Sequence, residues 1–286
     1  MIYKCIKENQ KEYGLNWLLR IFKVNKNAYY SFLKNKNEEA NKKKEAILKK
    51  MLNIYHVYNG VTGYRMLTSY LAKEGFKLSF LTTYKYMKEL KIKSIVRRRK
   101  PTYVHGISHK IFENLLSRNF KADEKNQKWC IDFTYLFLSD GSKRYNCSII
   151  DLYDRSIVAS ITDKFITANL AIRTLKRAIK AQKTIDTTKL TLHSDQGSQF
   201  TSKEFIDFCS SEGITQSMSQ AGCPYDNAPM ERYFNTLKNE LIYLYTYDTE
   251  KQLYEAIEYF AYVHYNHRRP HTYNNYKTPF QARYGM

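Results

Sequence analysis

The chain has 286 residues, of which 43% are hydrophobic and 15% aromatic, so it can bury a core as one large domain or two to three small ones. No stretch of 18 residues is free of charge, which argues against a membrane span, and the first residues do not form an apolar signal region. The five cysteines are scattered without a Cys-x-x-Cys pair, which argues against a disulfide framework or a cysteine-based zinc site.

Positive charge is concentrated in the first part of the chain. There are 47 Lys and Arg against 27 Asp and Glu, a formal net charge of +20. Residues 1–120 carry 26 basic and 8 acidic side chains, whereas residues 121–286 carry 21 and 19. A basic module joined to a nearly neutral one is typical of a protein that binds a polyanion with one of its parts. The alternative is a Lys-rich solvated surface without such a partner.

Apolar spacing predicts helices in the N-terminal part. Residues 15–33 show helical periodicity that is broken near residues 24–27, and residues 42–55 form a second amphipathic pattern. We therefore expect an N-terminal helical segment over residues 1–45.

Two short helices are predicted around a glycine-containing turn. The first covers residues 64–73 and ends before Gly75, which is suited to a left-handed C-cap. The second covers residues 80–90 and is capped by Ser79. This arrangement is typical of a helix-turn-helix, whose second helix would read the DNA major groove, although any small helical hairpin has a similar pattern. We assign residues 46–100 to a helix-turn-helix-like DNA-binding domain.

A basic run follows the second of these helices. Residues 91–100 contain six Lys or Arg and no acid, and Pro101 ends the run. Its position directly after a candidate recognition helix favours phosphate contacts over a merely solvated arm. A linker is expected over residues 101–120. The expected DNA contacts in the run are Arg97, Arg98, Arg99 and Lys100.

From residue 128 the pattern changes to strands and helices. Three hairpin-like strands come first, and helices and strands then alternate, which predicts an α/β fold with a mixed sheet and helices on its faces. The predicted strands cover residues 129–138, 144–151, 157–162, 190–193 and 214–218, with a hairpin turn at 139–142. The predicted helices cover residues 167–182, 202–212, 229–244 and 249–266.

Two aspartates stand at positions where a sheet commonly places functional groups. Asp132 lies in the middle of an apolar strand, where an uncompensated carboxylate loses favourable solvation. The alternative is an edge strand on which Asp132 faces water. Asp195 follows the strand over residues 190–193, at the end of the strand where α/β proteins bind ligands. The alternative is an aspartate that only caps a turn.

Glu231 and Lys238 lie on one predicted helix. Glu231 falls in its first turn, where an acid interacts well with the helix dipole even without a catalytic role. Seven residues correspond to about 700° of helix, so Lys238 returns to within about 20° of Glu231. We expect Lys238 at the border of the same face, within reach of a DNA phosphate. The alternative is a surface lysine that pairs with Glu231 or Asn235.

The histidines do not predict a zinc site. His264, His267 and His271 have metal-like spacing, but Pro270 interrupts their helix and no cysteine is near, which favours packing or DNA-facing roles. His193 stands two residues before the second aspartate, and its position favours a structural or supporting group over a catalytic base.

The spacing of the three acids resembles the D-D-35-E pattern of retroviral integrases and bacterial insertion-sequence transposases. Asp132 is on the first strand, and 35 residues separate Asp195 from Glu231. Neighbouring motifs match as well: Trp129-x-x-Asp132-x-Thr134-Tyr135, His193-Ser-Asp-x-Gly-x-Gln199-Phe, Tyr225-Asp-Asn-Ala-x-Met-Glu231, Lys238, and the tail Tyr265-Asn-His-Arg-Arg-Pro-His271 with Thr278-Pro279. Together these motifs resemble the downstream reading-frame product of the insertion-sequence-three family of transposases.

This resemblance implies a ribonuclease-H-like integrase core over residues 121–286, with a mixed five-stranded sheet, flanking helices and further C-terminal helices. It implies that Asp132, Asp195 and Glu231 are catalytic and hold two Mg²⁺ ions, with Mn²⁺ as a substitute, since hard cations prefer oxygen ligands. Asp132 would bridge both ions, with Asp195 on one and Glu231 on the other.

The resemblance also implies supporting residues and partners. His193 and Asn227 would support the acids, and Arg268 and Arg269 of the tail would contact DNA. The expected partners are double-stranded DNA, as element ends and as target, and further copies of the chain assembled on that DNA. An upstream-frame product is expected as another partner or as a fusion. The expected location is the bacterial cytosol and nucleoid, away from any membrane.

The predicted function is that of a DDE transposase, which binds the ends of a mobile DNA element and catalyses metal-dependent strand cleavage and strand transfer. One alternative is a metal-dependent nuclease of the same fold that cuts without joining. The other is a DNA-binding regulator of transposition with an idle core, against which the three intact acids argue.

Overall fold

A computed structural model describes residues 2–33, 36–95, 110–183 and 185–285, with backbone only for residues 36–39 and 224. The chain divides into two compact units, Met1–Ser94 and Ile95–Met286, here called the N-terminal unit and the C-terminal unit. The predicted DNA contacts at residues 97–100 lie outside the described residues. In the described ranges no helix combines the length and apolar character needed to cross a bilayer.

The described N-terminal unit is entirely helical. The first three helices share a small core centred on Ile6 and Tyr29, and the next three share a second core centred on Met51 and Leu67. The first helix lies within the helical segment predicted for residues 1–45, and Ile6 is its buried residue. The helices are α1 Ile2–Tyr13, α2 Leu15–Ile21, α3 Lys26–Leu33, α4 Lys36–Val57, α5 Tyr64–Lys73 and α6 Phe80–Glu89.

The helix pair α5 and α6 has the predicted bounds and caps. Gly75 follows α5 with φ +86°, which is the left-handed conformation that glycine adopts without a Cβ penalty. The Ser79 hydroxyl accepts a hydrogen bond from the Thr82 backbone N–H at the start of α6. Between the helices, the Thr68 hydroxyl donates to the Thr83 hydroxyl at 2.8 Å in a buried contact. Capping and packing therefore both stabilise this helical hairpin.

The C-terminal unit is built on a five-stranded mixed sheet with strand order β3-β2-β1-β4-β5. β1, β2 and β3 are antiparallel neighbours, whereas β4 pairs parallel with β1 and β5 pairs parallel with β4. β1 is thus the central strand, and the alternative of an edge strand for Asp132 is wrong. The strands are β1 Lys128–Phe137, β2 Lys143–Asp151, β3 Ile157–Asp163, β4 Thr191–Ser194 and β5 Thr215–Met218.

Helices cover both faces of this sheet. Trp129 and Ile131 of β1 face the core formed with α7 and α8, whereas Cys130 faces the core formed with α9. This alternation follows from the two-residue period of a strand. The helices are α7 Ala168–Ala181, α8 Lys203–Ser211, α9 Ala228–Leu237, α10 Glu250–Glu258 and α11 Pro279–Tyr284. Helix α9 is continued by a π-helical segment over Lys238–Ile242, and α10 by one over Tyr259–Arg268. Short 3-10 turns cover Thr187–Lys189, Pro224–Asn227 and Thr272–Asn274.

The C-terminal helix α11 is tied to the sheet by Arg283. Its guanidinium donates to Asp151 at 3.0 Å and to Asp154 at 2.5 Å, and both carboxylates are inaccessible to solvent. The same guanidinium donates to Asn126 and Gln182. Asp151 and Asp154, at a strand end and in the following turn, are therefore structural ion-pair partners of Arg283.

Residues 110–120, here called the strap, run beside the edge strand β5. The Met218 N–H donates to the Glu113 carbonyl at 3.3 Å, and the Leu115 N–H donates to the Ser217 hydroxyl at 2.9 Å. Leu116 is buried in the core beneath α9. The strap therefore packs along the sheet edge within the C-terminal unit.

Candidate active site

Three secondary-structure elements place the three acids around one end of β4. Asp132 lies on β1, and Asp195 is the first residue after β4. Cys130 pairs with His193 in the parallel register, so two residues further along Asp132 stands beside Asp195. Glu231 lies in the first turn of α9, which packs on the β1 face that carries Cys130. The sheet order therefore assembles residues that are distant in sequence.

The charges of the three acids act on one another. Desolvation raises the pKa of Asp132 well above its usual value, and the carboxylates of Asp195 and Glu231 raise it further. Desolvation also raises the pKa of Asp195, although part of this side chain remains accessible to solvent. Among the described residues no ion pair neutralises Asp132 or Asp195. These effects disfavour the ionised carboxylates, and a bound cation would stabilise the ionised form.

The acids interact without forming a closed ligand shell. Within the described part of the chain, no three His, Cys, Asp or Glu side chains stand close enough to hold a metal ion as they are placed. Two of the carboxylates are oriented by backbone donors instead. The Phe133 N–H donates to Asp132 Oδ1 at 2.7 Å, and the Gly197 N–H donates to Asp195 Oδ1 at 2.9 Å.

Gly197 is required beside Asp195 by close approach. A Cβ at position 197 would lie 2.9 Å from Asp195 Oδ1, so the carboxylate would have to shift, and it would also be a tight 3.2 Å from Gln199 Oε1. The absence of a side chain lets the backbone N–H reach the carboxylate. This close approach explains why a glycine stands at this position of the His193-to-Phe200 motif.

Asn227 lies at the acids, as expected. Its Nδ2 group donates to Asp132 Oδ2 at 3.3 Å. Its Oδ1 atom is buried and has no hydrogen-bond partner among the described residues, which leaves one acceptor available inside the site. Asn227 precedes α9, but its side chain forms no capping hydrogen bond to that helix.

His193 lies behind the site and contacts none of the three acids. Its Nδ1 and Nε2 atoms stand 2.9 Å from the Ser217 hydroxyl and 3.0 Å from the Ser219 hydroxyl. A neutral imidazole donates with one ring nitrogen and accepts with the other, so His193 can bond both serine hydroxyls at once. Burial lowers the pKa of His193 to about 4. The ring is therefore neutral and joins β4 to β5.

Lys238 begins the π-helical turn after α9 and lies near Asp132. Desolvation lowers the pKa of its ammonium group, and the negative charge of Asp132 partly opposes this effect. The same interaction lowers the pKa of Asp132. The structure thus brings Lys238 to the border of the acidic site, where helix periodicity places it.

The two arginines of the tail have different environments. Arg268 is exposed and donates to the Tyr259 hydroxyl at 2.7 Å. Arg269 is largely buried and forms a two-pronged ion pair with Glu240, with nitrogen–oxygen distances of 2.7–3.0 Å. This corrects the expectation that Arg269 contacts DNA, because an internal carboxylate already neutralises its charge.

The tail histidines also have packing roles. His264 Nε2 lies 3.5 Å from a Glu240 oxygen, and the His267 ring stacks on Phe280 with 4.2 Å between centroids. Burial lowers the pKa of His271 to about 3. These contacts agree with packing roles for the tail histidines.

Asp226 is the residue at this site that sequence reasoning missed. The sequence alone assigns no role to Asp226, yet its side chain is 3% exposed and accepts hydrogen bonds from the strap. Arg118 Nε donates to Oδ1 at 2.8 Å, and Asn114 Nδ2 donates to Oδ2 at 3.0 Å. The Arg118 guanidinium holds the pKa of Asp226 below its usual value. The available signal was its place in the motif Tyr225-Asp-Asn-Ala-x-Met-Glu231.

Models of known families match both parts of the chain. Two models described as "Integrase core domain" match residues 122–224 and 212–279, and a model described as "HTH-like domain" matches residues 42–100. These matches agree with the ribonuclease-H-like core and with the preceding helical hairpin.

Individual relatives extend over most of the chain. The protein named as transposase InsK for insertion sequence element IS150 of Escherichia coli K12 is 32% identical over 93% of this chain and 92% of its own length. Transposase InsF for insertion sequence IS3A of the same strain is 26% identical over 85% of this chain and 84% of its own length. Among solved structures, the HTLV-2 integrase catalytic core domain in complex with magnesium is 21% identical, covers 56% of this chain and 98% of that chain, and has a TM-score of 0.44.

Proposed function

Because the chain belongs to the insertion-sequence-three family of DDE transposases, we propose that Asp132, Asp195 and Glu231 form its catalytic centre. The chain is a polynucleotidyl transferase of DNA transposition and integration. The observation that supports the site assignment is the parallel pairing of β1 with β4, whose last matched pair is Cys130 with His193, two residues before Asp132 and Asp195. The charges of Asp195 and Glu231 also act on Asp132. No comparison favours the nuclease or the idle regulator.

The donor set of the site fits divalent cations. It contains carboxylate oxygens and the buried amide oxygen of Asn227, which has no hydrogen-bond partner among the described residues. Among those residues, neither Asp132 nor Asp195 forms an ion pair. Hard oxygen donors and excess negative charge suit Mg²⁺, with Mn²⁺ as a substitute. We assign the three acids as ligands of two such ions, which when bound stabilise charge on the phosphate and on the attacking and leaving oxygens.

The attacking group comes from the substrates. Cys130 lies two residues before Asp132, but burial raises the pKa of its thiol to about 12, so it stays protonated and is a poor nucleophile. In cleavage, a water oxygen bonds to phosphorus and the bond to the 3′-oxygen breaks, which leaves a 3′-hydroxyl. In strand transfer, that hydroxyl attacks a target phosphodiester and displaces its 3′-oxygen. Both are in-line displacements at phosphorus.

The protein itself positions the acids and the DNA. The N–H groups of Phe133 and Gly197 orient two carboxylates, and the packing of α9 on β1 places Glu231. Lys238 at the border of the site is suited to hold a neighbouring backbone phosphate. Arg268 and residues 97–100 are proposed as further phosphate contacts.

The chain divides this work among its parts. We propose an N-terminal helical segment over residues 1–45, a helix-turn-helix-like DNA-binding domain over 46–100, a linker over 101–120 and the catalytic core over 121–286. The excess of basic residues before residue 120 supports DNA binding by the first parts. The proposed partners are element ends and target DNA, further copies of the chain, and an upstream-frame product or fusion. The proposed location is the bacterial cytosol and nucleoid.

A joining assay tests this function. Labelled duplexes that carry the element ends are incubated with the chain, a plasmid target and Mg²⁺, with and without the upstream-frame product. The transposase predicts labelled ends joined to plasmid. Cut but unjoined ends in both arms would favour the nuclease, and bound but uncut ends in both arms would favour the regulator.

A further inference from the structure

The carboxylate of Asp226 is fully engaged although it lies outside the acidic centre. It accepts from Arg118 Nε at 2.8 Å, from Asn114 Nδ2 at 3.0 Å and from the Gln220 backbone N–H at 3.1 Å. Asp226 itself is 2% exposed. Three hydrogen-bond donors hold this buried carboxylate in one orientation. Rotation away from any donor would leave part of its negative charge uncompensated.

The strap donors are themselves held in place. The Asn114 amide oxygen accepts from the Ser117 N–H at 3.0 Å, which fixes the amide so that its nitrogen points at Asp226. Leu116 is buried two residues further along, and the Leu115 N–H donates to the Ser217 hydroxyl. The strap is therefore anchored between Asn114 and Arg118, its two contacts with Asp226.

A short path leads from Asp226 to the catalytic acids. The next residue, Asn227, donates to Asp132 Oδ2, and α9 begins at Ala228 with Glu231 in its first turn. The N-terminus of α9 has no side-chain capping hydrogen bond. The orientation of its first turn therefore depends on contacts such as those of Asp226 instead of on a cap.

We propose that Asp226, held by Arg118 and Asn114 of the strap, positions the first turn of α9 and thereby Glu231 relative to Asp132. Asp226 is a positioning residue that touches neither DNA nor the reacting phosphate. This inference rests on the proposed function, since it concerns the geometry of the proposed catalytic centre. It assigns the strap a role in catalysis beyond that of a linker.

The test measures strand transfer by the full chain at saturating end DNA, in single turnover. The variants are Arg118→Ala, Asp226→Asn and the double variant, with Arg118→Lys as the conservative change. Arg177→Ala is the matched control, because Arg177 is also a partly exposed arginine that pairs with a carboxylate at 2.8 Å, there Glu258. DNA affinity is measured in parallel, and Mn²⁺ binding is followed by the rise in Tm when Mn²⁺ alone is added.

Arg118→Ala and Asp226→Asn should each lower the saturating rate about tenfold and leave DNA affinity within about twofold of the parent. The double variant should be no slower than the slower single variant, because both changes break one contact. Both single variants should need about tenfold more Mn²⁺ for the same rise in Tm. Arg118→Lys should recover part of the rate, and Arg177→Ala should match the parent.

Three outcomes would overturn the proposal: additive losses in the double variant, equal losses in Arg177→Ala, or weaker DNA binding with a normal saturating rate. The last result would make Arg118 a phosphate contact. If Asp226→Asn does not fold, the same measurements on Arg118→Ala and Asn114→Ala test the proposal. Glu231→Gln separates the two hypotheses. An active Glu231→Gln would remove Glu231 from the proposed catalytic centre, whereas an inactive one beside a fully active Arg118→Ala would refute only the positioning role.

Discussion

The N-terminal unit carries its charged groups at the surface, whereas the C-terminal unit buries several of them. In the first unit Lys44 pairs with Glu89, and both side chains are more than one third exposed. In the second unit Arg283 is 6% exposed and pairs with two carboxylates that have no exposure. Exposed charged side chains are screened by salt and suit reversible contact with a polyanion. Buried ion pairs instead hold their side chains in fixed positions. The predictions below test this difference.

The largest expected effect comes from the three acids of the C-terminal unit. Asp132→Asn, Asp195→Asn and Glu231→Gln should each lower cleavage and strand transfer at least about 1,000-fold, roughly 4 kcal/mol, because each removes one anionic oxygen from the centre. DNA affinity should stay close to that of the parent. The measurement is a cleavage assay with labelled ends beside a binding titration. Activity in two of the three variants would refute a shared centre.

The buried ion pairs should control the stability of the C-terminal unit. Arg283→Ala leaves Asp151 and Asp154 buried without their cation, so the free energy of unfolding should fall by about 3–5 kcal/mol. Arg177→Ala removes a partly exposed pair and should change it by about 1 kcal/mol or less. In a Trp17→Phe background, fluorescence of the buried Trp129 during urea unfolding reports this unit. Similar losses in the two variants would contradict the comparison.

The surface charge of the N-terminal unit should produce a steep salt dependence. A fragment of residues 1–109 carries 24 basic and 7 acidic side chains, whereas residues 110–286, which keep the strap, carry 23 and 20. The first fragment should bind duplex DNA about 100-fold more tightly at low salt and lose most of that advantage by 200 mM salt. Fluorescence anisotropy over a salt series measures both. Equal affinities and equal slopes would assign DNA binding to the whole chain.

The smallest expected effect is at Lys238, whose charged group is partly buried and is proposed to contact a DNA phosphate. Lys238→Ala should weaken binding of element ends and slow strand transfer about tenfold, roughly 1.4 kcal/mol, with little change in folding stability. Lys238→Arg should retain most of the activity, because it preserves the positive charge. Strand transfer is measured at subsaturating DNA. A parent-like rate for Lys238→Ala would place the DNA path elsewhere.

Elements with strong local signals were predictable from the sequence. The bounds of α5 agree with the predicted 64–73, because apolar periodicity and the following Gly75 both define it. β1 agrees to within one residue at each end, since its aromatic and branched residues alternate between two buried faces. The three acids were found because their spacing matches a known pattern.

Features that depend on distant contacts could not be predicted. α11 has only six residues, and Arg283 stabilises it through carboxylates about 130 residues away. The ion pair of Arg269 with Glu240 spans 29 residues, so the sequence alone shows an arginine without its partner. The same holds for Asp226 and Arg118, which are 108 residues apart. In each case the sequence does not show which acidic side chain pairs with which basic side chain after folding.

Metal binding by the full chain on end DNA tests the central claim most directly, because it does not depend on turnover. Mn²⁺ affinity is measured for the parent, for Asp132→Asn, Asp195→Asn and Glu231→Gln, and for Asp163→Asn as a control. Asp163 is a partly exposed carboxylate that pairs with Arg173. A shared centre predicts at least tenfold weaker Mn²⁺ binding in each of the three variants and parent-like binding in the control. Parent-like binding in Asp195→Asn and Glu231→Gln would contradict it.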